Sequence, residues 1–194
     1  MAQFTNATDQ KGSRNMGDGE TFSWQRNVRD QYKSWTTEAI KADLKAKALP
    51  CAILMAQVEH DFNIGSVIRN ANAFGCTTVY YYGRKHIDRR GTCGTYHYCD
   101  VVHLPSFDQI RQLKEQYAFV ALENNVPNTV PLAKFIYPKC PLLIIGEEQN
   151  GIEPALLELA EHRVEIEMRG SVRSLNAGAA AGIILYDFVC KQEL

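Results

Sequence analysis

Short apolar blocks alternate with helix-like segments along the chain from residue 51 to its C-terminus. The apolar blocks comprise residues 51–58, 77–83, 100–105, 117–123, 141–146 and 163–168, and the segments with helical spacing comprise residues 65–75, 106–116, 152–162 and 174–189. Short apolar runs bounded by Gly or Pro are typical of buried strands, whereas apolar residues that recur every three to four positions are typical of helices. The alternation predicts an α/β fold in which a mostly parallel sheet carries helices on both faces.

The N-terminal part of the chain follows a different pattern. Residues 1–22 are rich in Asn, Gly, Ser, Thr and Asp and lack periodic apolar positions, so we expect a flexible polar tail. Between Trp24 and Leu49 the apolar residues fall near helical spacing, and Pro50 ends the segment. The sequence therefore predicts three parts, which are the tail over 1–22, a helical extension over 23–50 and one folded domain over 51–194. The extension is either a docking helix or a substrate-binding arm.

Composition excludes some classes of protein. The 194 residues suffice for one well-buried core, and contents of 45% hydrophobic and 22% charged residues are ordinary for a globular domain. A formal net charge of −1 provides no global basic field, so a nucleic-acid partner would have to bind a local patch. No apolar run approaches the roughly 18 to 20 residues that span a bilayer, and no signal-peptide pattern opens the chain, so we expect no membrane segment.

Six cysteines are spread along the chain, and no two of them form a C-x-x-C pair. Several lie inside apolar runs, where a thiol acts as a small hydrophobic group. We expect these cysteines to be reduced and the protein to be cytoplasmic. A zinc site through Cys93, His97 and Cys99 is the alternative, but the spacing of these residues is poor for a metal site.

Three loops follow apolar blocks at the predicted carboxyl ends of strands, where parallel α/β sheets bind ligands. The first loop contains Asn63, Gly65 and Arg69 in an N-x-G-x-x-x-R spacing. If its helix begins near Ile64, Asn63 caps that helix and Arg69 can lean back over the strand end. Taken alone, the spacing also fits a capped surface helix with a solvated arginine.

The other two loops are rich in small and polar residues. In the second loop Gly146 and Gly151 flank Glu148, and the glycines permit a sharp turn and a close approach to a ligand. The third loop offers Ser174 and Asn176 before a helix of small residues. Neither a G-x-G-x-x-G fingerprint nor a Walker A motif is present, which argues against a dinucleotide oxidoreductase. Each loop alone also fits a turn beside a packed helix.

Basic residues are concentrated in one segment of this otherwise neutral chain. They are Arg84, Lys85, His86, Arg89 and Arg90, and they precede the rings of Tyr96, His97 and Tyr98. Clustered Arg and Lys side chains bind phosphates, and exposed bases stack on aromatic rings. The segment therefore predicts an RNA-docking loop, although a solvated loop with packed tyrosines has the same composition.

Together the three loops resemble the motifs of the SpoU (TrmH-like) branch of the SPOUT RNA methyltransferases. The matching segments are residues 63–69 (NIGSVIR), 143–151 (LIIGEEQNG) and 166–176 (IEMRGSVRSLN). They occur in the order that the family has, and the resemblance extends from residue 51 to the C-terminus.

The resemblance implies a parallel sheet whose C-terminal part forms a deep trefoil knot, a rare exception among protein folds. It also implies that the knot binds S-adenosylmethionine and that two subunits pair there as a homodimer. The residues expected to contact the cofactor are Gly146, Ile166 and Leu175, largely through the backbone, with Met168 and Ser174 nearby. The residues expected on the catalytic and acceptor side are Asn63, Arg69, Glu148, Ser174 and Asn176.

The implied reaction is methyl transfer from S-adenosylmethionine to a ribose 2′-hydroxyl of structured RNA, without a metal. Transfer RNA is favoured over ribosomal RNA because the chain shows no appended RNA-binding domain. The family proposal makes Arg69 a general base, but a guanidinium has a pKa above about 12 and hardly ever loses its proton. Holding a phosphate and stabilising the developing alkoxide is an equally physical role. A non-catalytic RNA-binding module and a base-nitrogen methyltransferase are the alternatives.

Overall fold

The computed structural model describes residues 27–58, 62–147 and 150–192 of the chain. The predicted tail over 1–22 and Trp24, where the predicted helical pattern starts, lie outside the described residues. Internal contacts divide the chain into two units, between Trp35 and Thr36. In the described part of the first unit a 3-10 helix spans Asp30–Tyr32, and the rings of Tyr32 and Trp35 meet edge to face with centroids 5.4 Å apart.

The second unit is built on a sheet of seven strands. The strands are β1 (Ala52–Val58), β2 (Thr78–Gly83), β3 (Asp100–Leu104), β4 (Ala118–Leu122), β5 (Val130–Pro131), β6 (Pro141–Ile145) and β7 (His162–Glu165). Their order across the sheet is β3-β2-β1-β6-β4-β7-β5, and every adjacent pair is parallel. The predicted parallel sheet is therefore confirmed. Strand β5 is not predicted by the sequence pattern, because two residues are too few to produce a hydrophobic period.

Helices cover both faces of this sheet. They are α1 (Thr37–Ala46), α2 (Phe62–Ala73), α3 (Phe107–Gln112), α4 (Pro154–Leu159) and α5 (Ala177–Gln192). Successive side chains of a strand point to opposite faces, so β1 contributes to two cores. Ile53 packs in the core that α2 and α5 complete, and Leu54 packs in the core that α3 and α4 complete. The predicted helices on both faces are confirmed.

The predicted extension over 23–50 differs from the structure in its helix and in its boundary. Among the described residues its α-helix is limited to α1, because Thr36 accepts a hydrogen bond from the Ala39 N–H at 3.2 Å and starts the helix there. Lys41 on α1 forms an ion pair of 2.6 Å with Asp100 on β3. Helix α1 therefore belongs to the α/β unit, and the division falls at residue 36 instead of residue 51.

Glycines on α5 bring this helix unusually close to α2. A Cβ atom on Gly178 would lie only 2.7 Å from the Cβ of Ser66, so a larger residue would force the helices apart. The side-chain amide of Asn70 donates to the Gly178 carbonyl oxygen at 2.8 Å across the same contact. Because α2 contains Asn63, Gly65 and Arg69 of the first predicted motif and α5 follows the third loop, this packing brings the two motifs together.

Candidate active site

An open pocket of about 460 Å³ lies beyond the carboxyl ends of β4, β6 and β7. Carboxyl ends of parallel strands are the usual ligand-binding edge of such sheets. All five residues expected to contact a cofactor line the pocket, and they are Gly146, Ile166, Met168, Ser174 and Leu175. Residues from the second and third predicted loops thus form one cavity, together with Ala177 and Ala180 of α5.

The loop after β6 closes on itself through its backbone. The Glu147 N–H donates to the Gly151 carbonyl oxygen at 3.2 Å, and the Gly151 N–H donates to the Glu147 carbonyl oxygen at 2.9 Å. Gly151 has a φ of 67°, a left-handed conformation that favours glycine. A Cβ on Gly146 would collide with the backbone of Gly151 and Ile152, so this glycine is required by the loop itself. Glu148, the predicted acidic residue, lies outside the described residues.

Glu123 is a pocket residue that the sequence motifs do not include. It follows β4, and its carboxylate accepts hydrogen bonds from the Ile152 N–H at 2.8 Å and the Asn124 N–H at 3.0 Å. The carboxylate therefore ties the end of β4 to the loop after β6. The one signal in the sequence is that an acidic residue closes the apolar block 117–123, which by itself indicates no more than the end of a strand.

Beyond the end of β4, the side chain of Asn124 pairs with the backbone of the residue that follows β7. Its Nδ2 donates to the Ile166 carbonyl oxygen at 2.7 Å, and its Oδ1 accepts from the Ile166 N–H at 3.2 Å. A cofactor that contacts the backbone of Ile166 would have to share these groups with Asn124. The backbone contact expected at Ile166 is therefore more restricted than the resemblance implies.

Two predicted acceptor-side residues meet where α2 and α5 begin. Asn176 donates its side-chain amide to the Oδ1 of Asn63 at 2.7 Å, and its own Oδ1 accepts from the Ala179 N–H at 3.2 Å. The expectation that Asn63 caps α2 is wrong, because α2 already begins at Phe62 and Asn63 lies in its first turn. Asn63 is buried, with 9% of its surface exposed, and contacts Asn176 instead of its own helix end.

Arg69 contacts a cysteine of the segment that follows β2. Its guanidinium Nη1 donates to the Sγ of Cys93 at 3.4 Å, and the residue is exposed. It does not line the pocket, although Ser174 does. The side chain reaches Cys93 in the basic segment that follows β2, and its placement over the strand end stays a prediction.

The basic segment is fixed against α2 directly beside Arg69. A Cβ on Gly65 would lie 2.8 Å from the Cα of Gly91, so backbone packs on backbone there. The Arg89 guanidinium carbon lies 4.0 Å from the centroid of the Tyr96 ring, and Arg90 is paired with Asp88. This pairing lowers the pKa of Asp88 and raises the pKa of Arg90. Arg84 and Lys85 are exposed on the same segment.

Among the described residues, no three His, Cys, Asp or Glu side chains lie close enough together to hold a metal ion. Cys93, His97 and Cys99 therefore do not form such a group. All six cysteines fall within those ranges, and each is a free thiol. Among the described helices none is long and apolar enough to cross a membrane. The polar side chains that line the pocket include the carboxylates of Glu123 and Glu147, three asparagine amides, Arg173 and Ser174.

Comparison with known proteins gives a family for this fold and pocket. The model of the SpoU rRNA Methylase family matches residues 50–186, so the chain belongs to that family. The tRNA (guanosine(18)-2′-O)-methyltransferase of Aquifex aeolicus (strain VF5) is 27% identical over 141 residues, which are 70% of this chain and 67% of that protein. The 23S rRNA (guanosine-2′-O-)-methyltransferase of Coxiella burnetii is 24% identical over 176 residues, which are 84% of this chain and 68% of that protein.

A solved structure has the same fold. The SpoU methyltransferase AviRb from Streptomyces viridochromogenes, in complex with the cofactor AdoMet, is similar with a TM-score of 0.67 and 27% identity, over 76% of this chain and 58% of that chain. The chain thus spans between 58% and 68% of the length of these three proteins.

Proposed function

We propose that the protein transfers a methyl group from S-adenosylmethionine to a ribose 2′-hydroxyl of structured RNA. The observation that carries the proposal is the single pocket formed by the loops after β4, β6 and β7, with the Asn63–Asn176 contact at the start of α5 beside it. Two similar proteins are named as RNA 2′-O-methyltransferases, and a similar structure holds AdoMet.

The pocket suits an adenosyl cofactor in size and chemistry. A cavity of about 460 Å³ falls within the range of sites for small ligands, roughly 300 to 1,000 Å³. Ile166, Leu175 and Ala177 provide apolar wall for a planar base, while Glu123 and Asn125 provide polar groups. When bound, S-adenosylmethionine supplies a methyl group that its sulfonium already activates. The protein then has to align the acceptor hydroxyl with the methyl group and allow the proton of the hydroxyl to leave.

We assign Arg69 to the RNA side of the reaction. A guanidinium stays protonated at neutral pH, so Arg69 cannot readily remove the proton of the hydroxyl. Its planar donors instead hold a phosphate next to the reacting nucleotide and stabilise the negative charge that develops on oxygen. A phosphate oxygen or solvent then accepts the proton. Asn63, Ser174 and Asn176, with Glu148, orient the acceptor ribose.

The proposal includes a homodimer and the trefoil knot that the resemblance implies. On α5, Ile183 is 40% exposed and Tyr186 is 59% exposed, which leaves an apolar face uncovered in one chain. Arg69 lies outside the pocket wall of its own chain, which is consistent with a site that two subunits complete. The proposed knot consists of the loop after β6 and residues 166–176.

The proposed substrate is RNA bound through the basic segment, with transfer RNA favoured over ribosomal RNA. The segment is fixed beside Arg69 by the contact between Gly65 and Gly91, so RNA bound there would lie next to the reacting group. The six free thiols support the inference of a reducing, cytoplasmic location.

The deciding experiment measures methyl transfer from radiolabelled S-adenosylmethionine to separate pools of transfer and ribosomal RNA from cells that lack the gene. Labelled RNA is digested to nucleosides. A 2′-O-methylnucleoside from transfer RNA is the expected product. Label on a base would replace the proposal with base methylation. No label in either pool, with cofactor binding demonstrated, would favour a non-catalytic RNA-binding module.

A further inference from the structure

The pocket holds a carboxylate whose hydrogen-bonding capacity is only partly used. Glu123 accepts one backbone N–H on each oxygen, from Ile152 on Oε2 and from Asn124 on Oε1. An ionised carboxylate has about four lone-pair sites, so roughly two remain for other donors. Among the described residues Glu123 forms no ion pair. A group with unused acceptors at the wall of a ligand pocket is a candidate for ligand recognition.

The position of this carboxylate is fixed from three directions. The Glu123 N–H donates to the Val164 carbonyl oxygen at 3.0 Å, which holds the residue in line with the β4–β7 pairing. The two backbone donors then set the plane of the carboxylate. Gly151 leaves room for it, because a Cβ there would collide with the Glu123 carboxylate. Two oxygens held in one orientation match a ligand that offers two hydroxyl groups on adjacent carbons.

The other carboxylate described at the pocket wall is less accessible than that of Glu123, which is half-buried. Glu147 is buried, with 8% of its surface exposed, and its Oε2 accepts from the side-chain amide of Asn150 at 2.9 Å. Glu123 is therefore the acidic residue best placed to accept hydrogen bonds from a ligand. An acidic residue that accepts from ribose hydroxyls at a strand end is also a general solution in other α/β nucleotide sites.

We propose that the Glu123 carboxylate accepts hydrogen bonds from the vicinal 2′- and 3′-hydroxyls of the cofactor's ribose, and so selects adenosyl over deoxyadenosyl ligands. The inference rests on the proposed function, since it requires that the pocket binds an adenosyl compound. It assigns Glu123 a specificity role in addition to its backbone contacts. A neutral diol suits the site because the two N–H donors already offset part of the negative charge.

The test is calorimetric titration of the full chain with S-adenosylhomocysteine and with its 2′-deoxy and 3′-deoxy analogues. A hydrogen bond to a charged group predicts about a 10- to 100-fold preference of the wild-type protein for the ribose form. In Glu123→Ala and in the isosteric Glu123→Gln, affinity for S-adenosylhomocysteine falls. The ratio of the affinities for the ribose form and for the deoxy analogues also falls towards one. The matched control is Glu147→Gln, in which the preference is retained whatever happens to the affinity itself.

Three results would overturn the assignment. If Glu123→Gln folds and binds all three ligands more weakly but keeps the wild-type preference, Glu123 only braces the loop. S-adenosylmethionine is titrated alongside. If its binding to Glu123→Gln falls while that of S-adenosylhomocysteine, which lacks the sulfonium charge, does not, Glu123 is a partner of the sulfonium. If the wild-type protein binds neither S-adenosylmethionine nor S-adenosylhomocysteine, the proposed function itself fails. That result differs from one in which only the Glu123 variants lose binding.

Discussion

The side-chain amide of Asn176 donates to the Oδ1 of Asn63 at 2.7 Å, although the two residues are 113 positions apart in the chain. This hydrogen bond joins the first turn of α2 to the residue that precedes α5. It therefore links the segment that carries Arg69 to the loop that forms one wall of the pocket.

We expect Asn63→Ala to lower both stability and methyl transfer. The substitution removes the acceptor for Asn176, at a cost of about 0.5 to 1.5 kcal/mol in the free energy of unfolding. Asn63→Asp is the matched control, since it retains an oxygen in the same place and should be affected less in a thermal melt. Equal melting temperatures and turnover for Asn63→Ala and wild type would show that neither stability nor activity depends on this hydrogen bond.

Arg69→Lys should reduce kcat by at least about 100-fold, because lysine lacks the planar donors that hold a phosphate in one orientation. Affinity for S-adenosylhomocysteine should not change, since Arg69 does not line the pocket. Arg111→Lys is a suitable control, because Arg111 is on α3 and pairs with Asp108. Near-normal turnover by Arg69→Lys would exclude the residue from the mechanism.

Cys93 is expected to position Arg69. Its Sγ accepts from the Arg69 guanidinium, so Cys93→Ala should reduce turnover by about fivefold, which corresponds to the removal of one ordinary hydrogen bond. Cys93→Ser retains an acceptor and should stay close to the wild type. Cys190→Ala, at another exposed cysteine, provides the control for removal of a thiol. The positioning role of Cys93 is excluded if Cys93→Ala and Cys93→Ser have the same turnover.

The basic segment should account for much of the salt dependence of RNA binding. Replacing Arg84 and Lys85 together with Ala should weaken binding and reduce the slope of log K against log salt by about 1 for each phosphate that is no longer neutralised. Replacing Arg89 and Arg90 together with Ala should also weaken binding and flatten the slope, since both side chains are exposed on the same segment. An unchanged slope in both double variants would place the RNA elsewhere.

The ion pair between Lys41 and Asp100 predicts a pH-dependent contribution to stability. The hydrogen bond from Lys41 lowers the pKa of Asp100 below its ordinary value of 3.8. Because the folded-state pKa is the lower one, the stabilisation is fully present above pH 3.8 and is lost as the pH falls through the lowered value. Asp100→Asn should therefore cost up to about 1 kcal/mol at pH 7 for this partly exposed pair, and nothing in strong acid.

Chemical denaturation across that pH range measures the Asp100 contribution. Asp108→Asn is the control, since Asp108 is largely exposed and pairs within its own helix. A difference between Asp100→Asn and wild type that persisted unchanged at low pH would contradict the ion-pair explanation.

The pattern of the chain is sufficient to predict the sheet, because β1, β4 and β6 are almost uniformly buried and leave clear apolar blocks. The motifs are also sufficient to bring Gly146 and Leu175 into one pocket. Sequence is insufficient where tertiary contacts decide the geometry. Whether Asn63 caps a helix or contacts Asn176 depends on how closely α2 and α5 pack, and no local pattern encodes that distance. The role of Glu123 in the pocket could not be predicted for the same reason, since its partner Ile152 is distant in sequence.

The order of strands in the sheet has a consequence for synthesis of the protein on the ribosome. β1, β2 and β3 are neighbours in both sequence and space, so this half of the sheet can assemble once residue 104 has emerged. β6 must then enter between β1 and β4, and the pocket requires residues as late as Ala180. The nascent chain therefore presents the bare edge of β1 to its surroundings while the next part of the protein is translated. Ligand binding can therefore contribute nothing to folding until Ala180 has emerged.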